Sequence, residues 1–447
     1  MAVANARGAE KSAGDPAGAG SPKCGWYETL GELPPPRVAR GSLRCDAAVI
    51  GAGFTGLACA RRLAELSPSS SIVVLEADRI GAGNSGRNSG FLLDISFYDD
   101  AAPAVQAART RLQQSGLREL ARVVSDNRIA CDWQPWGNLY GSLTDREDRW
   151  LSRLARRYSG CGVPLEEWSA AKMAQVTGSK RFLRALFHPG SVLVQPVKLV
   201  HGLAATLPGN VRVFENSRVS ALKHRGARVE IRTDESQITA VRAFLCANGG
   251  TPELGHGKNR LLKVSTFAAM TPSLVEWRGG IGEAEAFGLL PSFPGGPTLR
   301  KTRDHRLLVR QDLAFTPKGC PKEADYARFV EQARETARLR WPELGHVPFE
   351  FLWSGVMSLT RNNAQVFGQI EKNVYAAAFC NGAGNTSGTM AGKLLAELSA
   401  GRASDLLSDQ MALPAPRWLP PDFVCGFFVN RRIAAANRRL KRIYAES

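Results

Sequence analysis

The 447-residue sequence lacks several features that would assign it to a familiar class of protein. It contains no run of about 18 apolar residues, so no membrane-spanning helix is expected. The N-terminal stretch MAVANARGAEKSAGDPAGAG has no apolar core of the kind that a secretory signal requires, and residues 1–25 are expected to form a disordered tail. The nine cysteines include no Cys-x-x-Cys pair and are odd in number, which argues against a structural zinc site and a disulfide framework. Reduced thiols and a cytoplasmic location are the simplest interpretation.

Acidic residues are scarce relative to basic ones, with 41 Asp and Glu against 58 Lys and Arg, for a formal charge of +17. The positive electrostatic field of such a protein could attract a dinucleotide, an anionic substrate, nucleic acid or a membrane surface. The basic residues are mostly arginine and widely spread, which a merely basic soluble protein explains as well. They concentrate only near the C-terminus, at Arg431, Arg432, Arg438, Arg439, Lys441 and Arg442. We interpret this segment, within 403–447, as a basic helical extension with a solvated or partner-binding face. Because no aromatic-rich basic motif or RNA-binding module is present, nucleic acid is not expected as a partner.

A glycine-rich turn lies between a short apolar strand, Ala47–Ile50, and a segment with helical periodicity, Thr55–Leu66. It reads Gly51-Ala52-Gly53-Phe54-Thr55-Gly56 and fits the dinucleotide pattern G-x-G-x-x-G. The first glycine permits a tight turn, the second allows close approach of a pyrophosphate, and the third allows the helix to pack closely on the strand. Glu76, followed by Ala77, ends the next strand and can accept hydrogen bonds from a ribose diol, which disfavours NADP.

A second glycine cluster, RIGAGNSGRNSGF, follows the ribose-binding acid directly and favours FAD over NAD. A flavin dinucleotide lies along a loop that must come very close to it, and small residues with backbone N–H donors suit such a loop. Arg87 could also neutralise phosphate charge. The predicted contacts are Ala82, Ser85, Gly86, Arg87, Asn88, Ser89 and Gly90. A mobile surface loop is the alternative explanation.

The remaining pattern predicts helices near 103–125, 144–160 and 322–340, several strands between 211 and 247, and a hairpin with Arg303–His305 near its turn. Segments of cofactor-binding type occur at the start, middle and end of the chain, with two long inserts between them. We therefore predict an α/β fold, with a discontinuous Rossmann-like FAD-binding domain and an α+β substrate domain with an antiparallel or mixed sheet. The predicted boundaries are 45–100, 196–255 and 350–402 for the first domain and 101–195 and 256–349 for the second.

At this point the chain resembles the D-amino-acid-oxidase-like superfamily of FAD-dependent oxidoreductases, in particular bacterial amine oxidoreductases of the gamma-glutamylputrescine oxidase type. The resemblance runs from about residue 26 to the C-terminus. It is carried by VIGAGFTGL, LEADRIGAGNSGRNSGF, HPGSVLVQPVKLVHGLA, WSGVMSLTRNNAQVFGQI and GAGNTSGTMAGKLLAEL.

The resemblance implies further contacts with the flavin cofactor. Val219 would contact the adenine end, and Ala247 and Gly249 belong to a strand-end loop beside the cofactor. The loop Gly382–Thr389 would pack on the flavin ring, through Gly384, Asn385, Thr386, Gly388 and Thr389. A helix that begins there could stabilise an anionic reduced ring, although an ordinary capped helix explains the same residues.

One departure from the family pattern concerns the same loop. Relatives often have a GFSGHG-type loop where this chain has AFCNGAGN and no histidine, which leaves the handling of oxygen open. Cys380 is interpreted as a small buried thiol rather than as a covalent flavin attachment.

The expected reaction is removal of a hydride from the carbon that bears an amine, with delivery to flavin N5. The resulting imine hydrolyses to a carbonyl compound, with oxygen or a carrier as the final electron acceptor. An apolar pocket would keep the amine neutral by desolvation, so no dedicated base is required. The predicted catalytic residues are Trp353, Asn362 and Arg361, the last of which is expected to bind a substrate carboxylate. Further pocket candidates are Met357, Thr360, Phe91, Trp136 and Tyr140, with Arg300 as a second carboxylate candidate on a hairpin that looks solvated.

Several alternatives stay open at the level of the sequence. A flavin dehydrogenase with an acceptor other than oxygen, a tRNA-modifying flavoenzyme of the same fold, and a flavoprotein with only a binding or redox-sensing role all fit the same motifs. His188 is interpreted as a turn histidine rather than as a catalyst, and no Ser-His-Asp or metal-binding arrangement is apparent.

Overall fold

The computed structural model describes residues 22–96, 102–276 and 280–446. The strands are β1 (Gly41–Ile50), β2 (Ile72–Leu75), β3 (Phe91–Leu92), β4 (Asn138–Ser142), β5 (Glu166–Ser169), β6 (Arg184–His188), β7 (Val192–Leu193), β8 (Val211–Phe214), β9 (Ala221–Arg225), β10 (Arg228–Arg232), β11 (Ser236–Leu245), β12 (Leu262–Met270), β13 (Phe287–Leu289), β14 (Thr298–Lys301), β15 (Leu307–Phe315), β16 (Phe351–Leu359), β17 (Val366–Glu371) and β18 (Val374–Ala378).

The helices complete the chain. They are α1 (Gly25–Glu28), α2 (Phe54–Leu66), α3 (Asn84–Arg87), α4 (Pro103–Asp126), α5 (Asp145–Gly160), α6 (Ala170–Thr177), α7 (Pro196–Ala205), α8 (Glu323–Arg340), α9 (Thr386–Ser399), α10 (Asp405–Ala412) and α11 (Asp422–Glu446), with 3₁₀ turns at Asn248–Leu254 and Pro342–His346.

One sheet is a mostly parallel, doubly wound layer in the order β17-β18-β11-β1-β2-β8, with β9 and β10 attached to β11. Its central strand β1 runs parallel to both β2 and β11, and every residue of β2 and of Ala47–Ile50 is buried. Continuous apolar strands of this kind are typical of a parallel sheet that is covered on both faces. Helices α2, α9, α4 and α7 pack on one face, and the β9–β10 hairpin helps to cover the other.

Helices α2 and α9 pack very closely. A Cβ on Gly392 would lie 2.0 Å from the Thr55 carbonyl oxygen, and one on Gly388 would lie 2.7 Å from the Thr55 hydroxyl. Only glycine at these two positions allows the backbones to approach so closely.

The other large sheet has the order β16-β12-β15-β14-β13-β4-β6-β5 and is antiparallel except where β13 runs alongside β4. Its core contains Phe267, Phe287, Trp341 and the buried face of α8, which includes Phe329 and Ala333. The predicted fold class, a discontinuous Rossmann-like domain joined to a domain with a mixed sheet, is confirmed.

The structure of three segments differs from what the sequence led us to expect, while the domain boundaries as a whole stay a prediction. Strand β16, expected in the FAD-binding domain, pairs along its whole length with β12 of the second sheet. Helix α4, expected in the substrate domain, packs into the core of the first sheet through Leu120 and Val123. Of the expected tail, residues 1–21 lie outside the described residues, but Cys24 and Gly25 are buried and begin α1.

The basic C-terminal segment forms α11, one face of which packs on the second sheet. Leu440 and Ile443 are buried there, and the Tyr444 hydroxyl lies 2.5 Å from the Thr336 hydroxyl oxygen. Among the residues described, no helix is both long and apolar enough to cross a bilayer.

Candidate cofactor and substrate site

The first glycine loop joins β1 to α2 in the manner that the motif predicts. Gly51 has φ +105°, in the left-handed region, and a Cβ there would lie 2.7 Å from the Cys246 carbonyl oxygen. A Cβ on Gly56 would lie 1.8 Å from the Gly51 carbonyl oxygen, which no side chain could tolerate. Gly53 is the N-cap of α2 and offers no side-chain cap, and the Phe54 N–H donates to the Ser85 hydroxyl oxygen at 3.3 Å. This bare helix start can bind an anion.

Glu76 follows β2 and braces the same loop. Its Oε2 accepts a hydrogen bond from the Ala52 N–H at 2.8 Å, and its Oε1 accepts one from the Asp78 N–H at 3.3 Å. Burial raises the pKa of Glu76, although these backbone donors act in the opposite direction. The carboxylate is therefore held at the edge of the loop, the place where a ribose hydroxyl is recognised in this type of fold.

The second glycine cluster repeats the backbone geometry of the first. Gly81 has φ +80°, and a Cβ on Gly86, five residues later, would lie 2.0 Å from the Gly81 carbonyl oxygen. The Arg87 guanidinium closes this loop by donating to the carbonyl oxygens of Ala82, at 2.7 Å, and Ser354, at 3.2 Å. The cluster is an ordered turn rather than a surface loop of no fixed structure.

The loop that precedes α9 is tied to the second glycine cluster. The Asn385 side-chain amide donates to the Phe91 carbonyl oxygen, and the Thr386 hydroxyl donates to that of Leu93, each at 2.9 Å. Upstream, Phe379 has φ +66°, which is unusual for a bulky residue. The Asn248 amide oxygen holds it there by accepting hydrogen bonds from the N–H groups of Phe379 and Cys380. Asn248 thereby links the end of β11 to the end of β18.

These loops and the second sheet line an open cavity whose empty space, including the part that is open to solvent, is about 1350 Å³. The predicted cofactor residues that line it are Gly53, Phe54, Thr55, Ser85, Arg87, Asn88, Ser89, Gly384, Asn385 and Gly388. The predicted residues Gly51, Gly56, Glu76, Ala77, Ala82, Gly86, Gly90, Val219, Ala247, Gly249, Thr386 and Thr389 lie outside its lining. Phe91 and Met357, two of the pocket candidates, also line it, and Trp136, Tyr140 and Thr360 do not.

None of the three residues expected to be catalytic lines the cavity, and their catalytic role stays a prediction. Arg361 is exposed at a turn after β16. The Asn362 side chain bonds the Ala415 carbonyl oxygen and the Arg417 N–H, so it anchors the chain that leads to α11. Trp353 is fully buried, and its indole N–H donates to the Arg87 carbonyl oxygen at 3.1 Å. The hydrogen bonds of Asn362 and Trp353 thus join segments of the chain.

Arg300 is also placed differently from the expected solvated hairpin. It is fully buried, and its Nη1 donates to the carbonyl oxygens of Ser89, Gly90 and Val194, the last at 2.5 Å. Its guanidinium also lies 5.1 Å from the centre of the Trp26 ring. Burial lowers the pKa of Arg300 to about 10. These contacts make Arg300 a brace for the second glycine cluster.

The cavity contains a cation that the sequence interpretation missed, Arg310 at the centre of β15. The strand register places Arg310 opposite Ala268 of β12 and Thr298 of β14, and both of these residues line the cavity as well. A lone arginine inside the apolar run LLVRQDLAF was the available signal. Its position in the cavity depends on pairing with two strands from distant parts of the chain.

Arg310 is the least satisfied charged group at the site. Its Nη2 contacts the Met357 sulfur at 3.4 Å, and within the described residues no carboxylate lies within ion-pair distance of its guanidinium. Burial lowers the pKa of Arg310. On the neighbouring strand β12, the Thr266 hydroxyl is buried and has no hydrogen-bond partner among the described residues. A cation with no carboxylate partner and a buried hydroxyl with no hydrogen-bond partner, both in the described lining, indicate a polar, anionic ligand.

The described lining contains Arg87 and Arg310 but no Asp, Glu, His or Lys. Cys380 is its only cysteine besides Cys246, and burial raises the pKa of the Cys380 thiol. The other lining side chains near Arg310 are mostly apolar, including Phe267, Leu290 and Val356. The cavity therefore favours anions and excludes an acid or base of ordinary pKa. No group of residues suited to a metal ion occurs in the described part of the chain.

Comparison with known proteins gives a consistent result. The family model described as "FAD dependent oxidoreductase", DAO, matches residues 46–398. The chain is 28% identical over 379 residues to the gamma-glutamylputrescine oxidoreductase of Escherichia coli (strain K12), covering 81% of this chain and 85% of that protein. It is 26% identical over 419 residues to a probable oxidoreductase, OrdL, of Rhizobium meliloti (strain 1021), covering 88% of this chain and 92% of that protein.

Solved structures share the fold. Glycine oxidase from Geobacillus kaustophilus matches with a TM-score of 0.69 at 17% identity, covering 81% of this chain and 96% of that one. L-proline dehydrogenase from P. horikoshii matches with a TM-score of 0.66 at 16% identity, covering 82% and 96%. At these identities the likeness concerns the fold alone.

Proposed function

Because the chain belongs to the DAO family of FAD-dependent oxidoreductases, we propose that it oxidises a carbon–nitrogen bond in an amine that also carries a carboxylate. The single observation that carries this proposal is Arg310, a buried cation that faces the cavity without a carboxylate partner in the described chain. Gamma-glutamylputrescine, in the name of the E. coli relative, is an amine that carries a carboxylate, which supports the same substrate class.

The residues around the cavity fit FAD. The two left-handed turns at Gly51 and Gly81 leave bare backbone at the positions where Cβ atoms on Gly56 and Gly86 would clash. We assign the pyrophosphate to the start of α2 and to the loop Ser85–Ser89, and the ribose to Glu76. The start of α9, from Gly384 to Thr389, would lie against the ring. When bound, FAD supplies the two-electron oxidation by accepting a hydride from the carbon next to nitrogen.

The protein's own groups would bind and orient the substrate. The Arg310 guanidinium would hold the carboxylate bidentately, and the unpartnered Thr266 hydroxyl would donate a second polar contact. The apolar side chains of Phe91, Phe267 and Val356 would surround the amine. Such surroundings lower the pKa of an amine and so favour its neutral, reactive form without a protein base.

The test is an anaerobic screen that monitors loss of the oxidised flavin band. Secondary amino acids, opine-like conjugates and gamma-glutamyl polyamines are each compared with the corresponding amide, in which the carboxylate charge is removed. We expect Arg310→Met to lower kcat/KM for the carboxylate by about 30- to 700-fold, as the loss of roughly 2–4 kcal/mol from a buried charged contact predicts. The preference for carboxylate over amide should disappear with it.

Arg361→Met is the matched control, because it removes an exposed arginine that does not line the cavity. It should retain nearly full activity. Equal activity on acids and amides in the wild type, or equal losses in the two variants, would contradict the proposal. A comparison of peroxide formation in air with anaerobic dye reduction distinguishes oxygen from a carrier as the acceptor.

A further inference from the structure

Helix α11 carries a stripe of exposed aromatic and arginine side chains that the oxidation reaction does not use. Phe423, Phe427 and Phe428 are 80%, 58% and 60% exposed, and Trp418, four residues before the helix, is 56% exposed. Isolated exposed apolar residues are ordinary, but four large aromatic side chains within eleven residues are not. Exposed apolar clusters of this kind are typical of surfaces that bind another molecule or a membrane.

The exposed stripe has a defined order along the helix. Phe423, Phe427, Arg431, Arg438 and Arg442 recur at helical spacing, so they share one side of α11, and Arg431 lies 5.6 Å from the centre of the Phe427 ring. The opposite side is buried against the protein through Cys425, Gly426, Leu440 and Ile443. The aromatic residues therefore occupy the first two turns, and the arginines occupy the turns that follow.

Hydrogen bonds hold the chain before the stripe, and the start of α11, against the folded protein. The Leu419 N–H donates to the Asn259 carbonyl oxygen, and the Arg260 guanidinium donates to the Pro416 carbonyl oxygen. The Cys425 thiol bonds the Pro420 carbonyl oxygen. Trp418 and the start of α11 are thus held by the folded protein while their aromatic rings stay exposed.

We propose that this aromatic–arginine stripe docks the protein on a lipid bilayer that carries anionic headgroups. Phe423, Phe427 and Phe428 provide exposed apolar side chains of the kind that interfacial helices bury at the boundary between headgroups and acyl chains. The arginines beyond them would then lie at the level of lipid phosphates, to which their charge is complementary. Between Asp422 and Glu446 the helix contains no acidic residue to oppose that attraction.

Two other occupants of the stripe fit less well. A second copy of the chain would bring the arginines of both stripes into the same contact, where like charges repel. Single-stranded nucleic acid is bound by aromatic rings that lie within a cationic groove, whereas here the rings precede the cations on a convex helix. Both remain outcomes of the test below.

The experiment is flotation of the full-length, FAD-loaded protein with vesicles of phosphatidylcholine, with or without about 30 mol% phosphatidylglycerol. We expect the wild type to float with the anionic vesicles, to float less with neutral ones, and to dissociate as salt is raised. The triple variant Phe423→Ser, Phe427→Ser, Phe428→Ser should lower the partition coefficient by about tenfold or more. The matched control is Leu183→Ser with Val275→Ser, which changes two exposed apolar residues outside α11 and should bind like the wild type.

A second pair of variants tests the charge separately. Arg438→Ala with Arg442→Ala should weaken binding to anionic vesicles, whereas Lys258→Ala with Arg402→Ala, which removes two exposed cations outside α11, should not. Flavin absorbance and circular dichroism verify that each variant is folded. The proposal is overturned if the wild type does not float, or if both α11 variants float like the wild type. It is equally overturned if the phenylalanine variant converts a dimer to a monomer, or loses a salt-dependent shift of short RNA, with no effect on vesicles.

Discussion

Arg300 and Arg310 lie ten residues apart on the same hairpin, β14–β15, and burial lowers the pKa of both. Arg300 donates to three backbone carbonyl oxygens, whereas Arg310 donates a weak hydrogen bond to the Met357 sulfur. The first guanidinium is held by the fold through Nη1, although its Nε has no hydrogen-bond partner among the described residues, and the second faces a cavity. The difference shows that burial alone does not identify a binding arginine, because its hydrogen-bond partners decide the role.

The largest expected effect is the loss of stability in Arg300→Met. The substitution removes the Nη1 donor from the carbonyl oxygens of Ser89, Gly90 and Val194, of which Gly90 keeps a hydrogen bond from the Val194 N–H. Because several hydrogen bonds to a charged group are lost, we expect a fall in the free energy of unfolding of about 3–5 kcal/mol. Denaturant unfolding followed by flavin fluorescence measures this loss. Arg310→Met, which removes a cation without such partners, should lose less than about 1 kcal/mol. A similar loss in both variants would contradict the comparison.

The next effect is stabilisation by a bound acid. Propionate, at about a hundred times its dissociation constant, should stabilise the wild type by roughly 2.7 kcal/mol, because it binds the folded state through Arg310. Propionamide should not do so, and neither acid nor amide should stabilise Arg310→Met. Thermal unfolding at fixed ionic strength provides the measurement. Stabilisation of Arg310→Met by propionate would place the anion site elsewhere.

A glycine substitution can disturb Arg300 without changing it. Gly90 has φ +75°, and a Cβ there would lie 2.0 Å from Arg300 Nη1 and 2.3 Å from the Val194 carbonyl oxygen. Gly31 has φ +87° with nothing within 4 Å, so Gly31→Ala measures the backbone strain alone, about 1–2 kcal/mol. We expect Gly90→Ala to lose about 2 kcal/mol more than that, in the same unfolding assay. Equal losses in Gly90→Ala and Gly31→Ala would mean that the Arg300 side chain moves away from the added methyl group without a loss of stability.

The smallest effect concerns a buried histidine, His188, which ends β6 and does not line the cavity. Its Nε2 lies 2.8 Å from an Asp94 carboxylate oxygen and its Nδ1 lies 3.1 Å from the Pro164 carbonyl oxygen, so both nitrogens face acceptors. Burial lowers the pKa of His188, but Asp94 and the carbonyl oxygen raise it by more, and the net shift is upward.

A raised pKa in the folded state makes the stabilisation by His188 complete below its unfolded pKa of about 6.5. The stabilisation is lost as the pH rises through the folded pKa. Between about pH 6 and pH 9 the wild type should therefore lose more free energy of unfolding than His188→Gln, which carries no charge to lose. If the free energy of unfolding of the two proteins depends on pH in the same way, the His188–Asp94 ion pair does not stabilise the fold.

The parts of the site that the sequence predicts are those encoded locally. Gly51, Gly53 and Gly56 lie within one turn, and Gly51 and Gly56 meet each other there, since a Cβ on Gly56 would lie 1.8 Å from the Gly51 carbonyl oxygen. The other close contacts, of Gly51 with Cys246 and of Gly53 with Ser85, come from other segments. The spacing of the three glycines, with Glu76 after the next strand, was enough to predict the dinucleotide loop and the fold that contains it. The helical and strand periods likewise predicted α4, α5, α8 and the β14–β15 hairpin.

The substrate end could not be predicted in the same way. Arg310 reaches the cavity because β15 pairs with β12 and β14, and Arg361 misses it because β16 ends before the turn that carries it. Both outcomes depend on pairing between residues far apart in the chain. Arg300 and Arg310 look alike in sequence, since the carbonyl oxygens that satisfy Arg300 come from two other segments.

The close crossing of α2 and α9 has a consequence for how the two ends of the cavity can change. Each helix begins at the cavity, and Gly388 and Gly392 press directly on Thr55. A side chain added at either glycine would displace the starts of both helices together. The proposed pyrophosphate site at α2 and the proposed flavin-ring contact at α9 could therefore not change independently. Variation in what this scaffold oxidises would then be confined to the opposite wall, the sheet that carries Arg310.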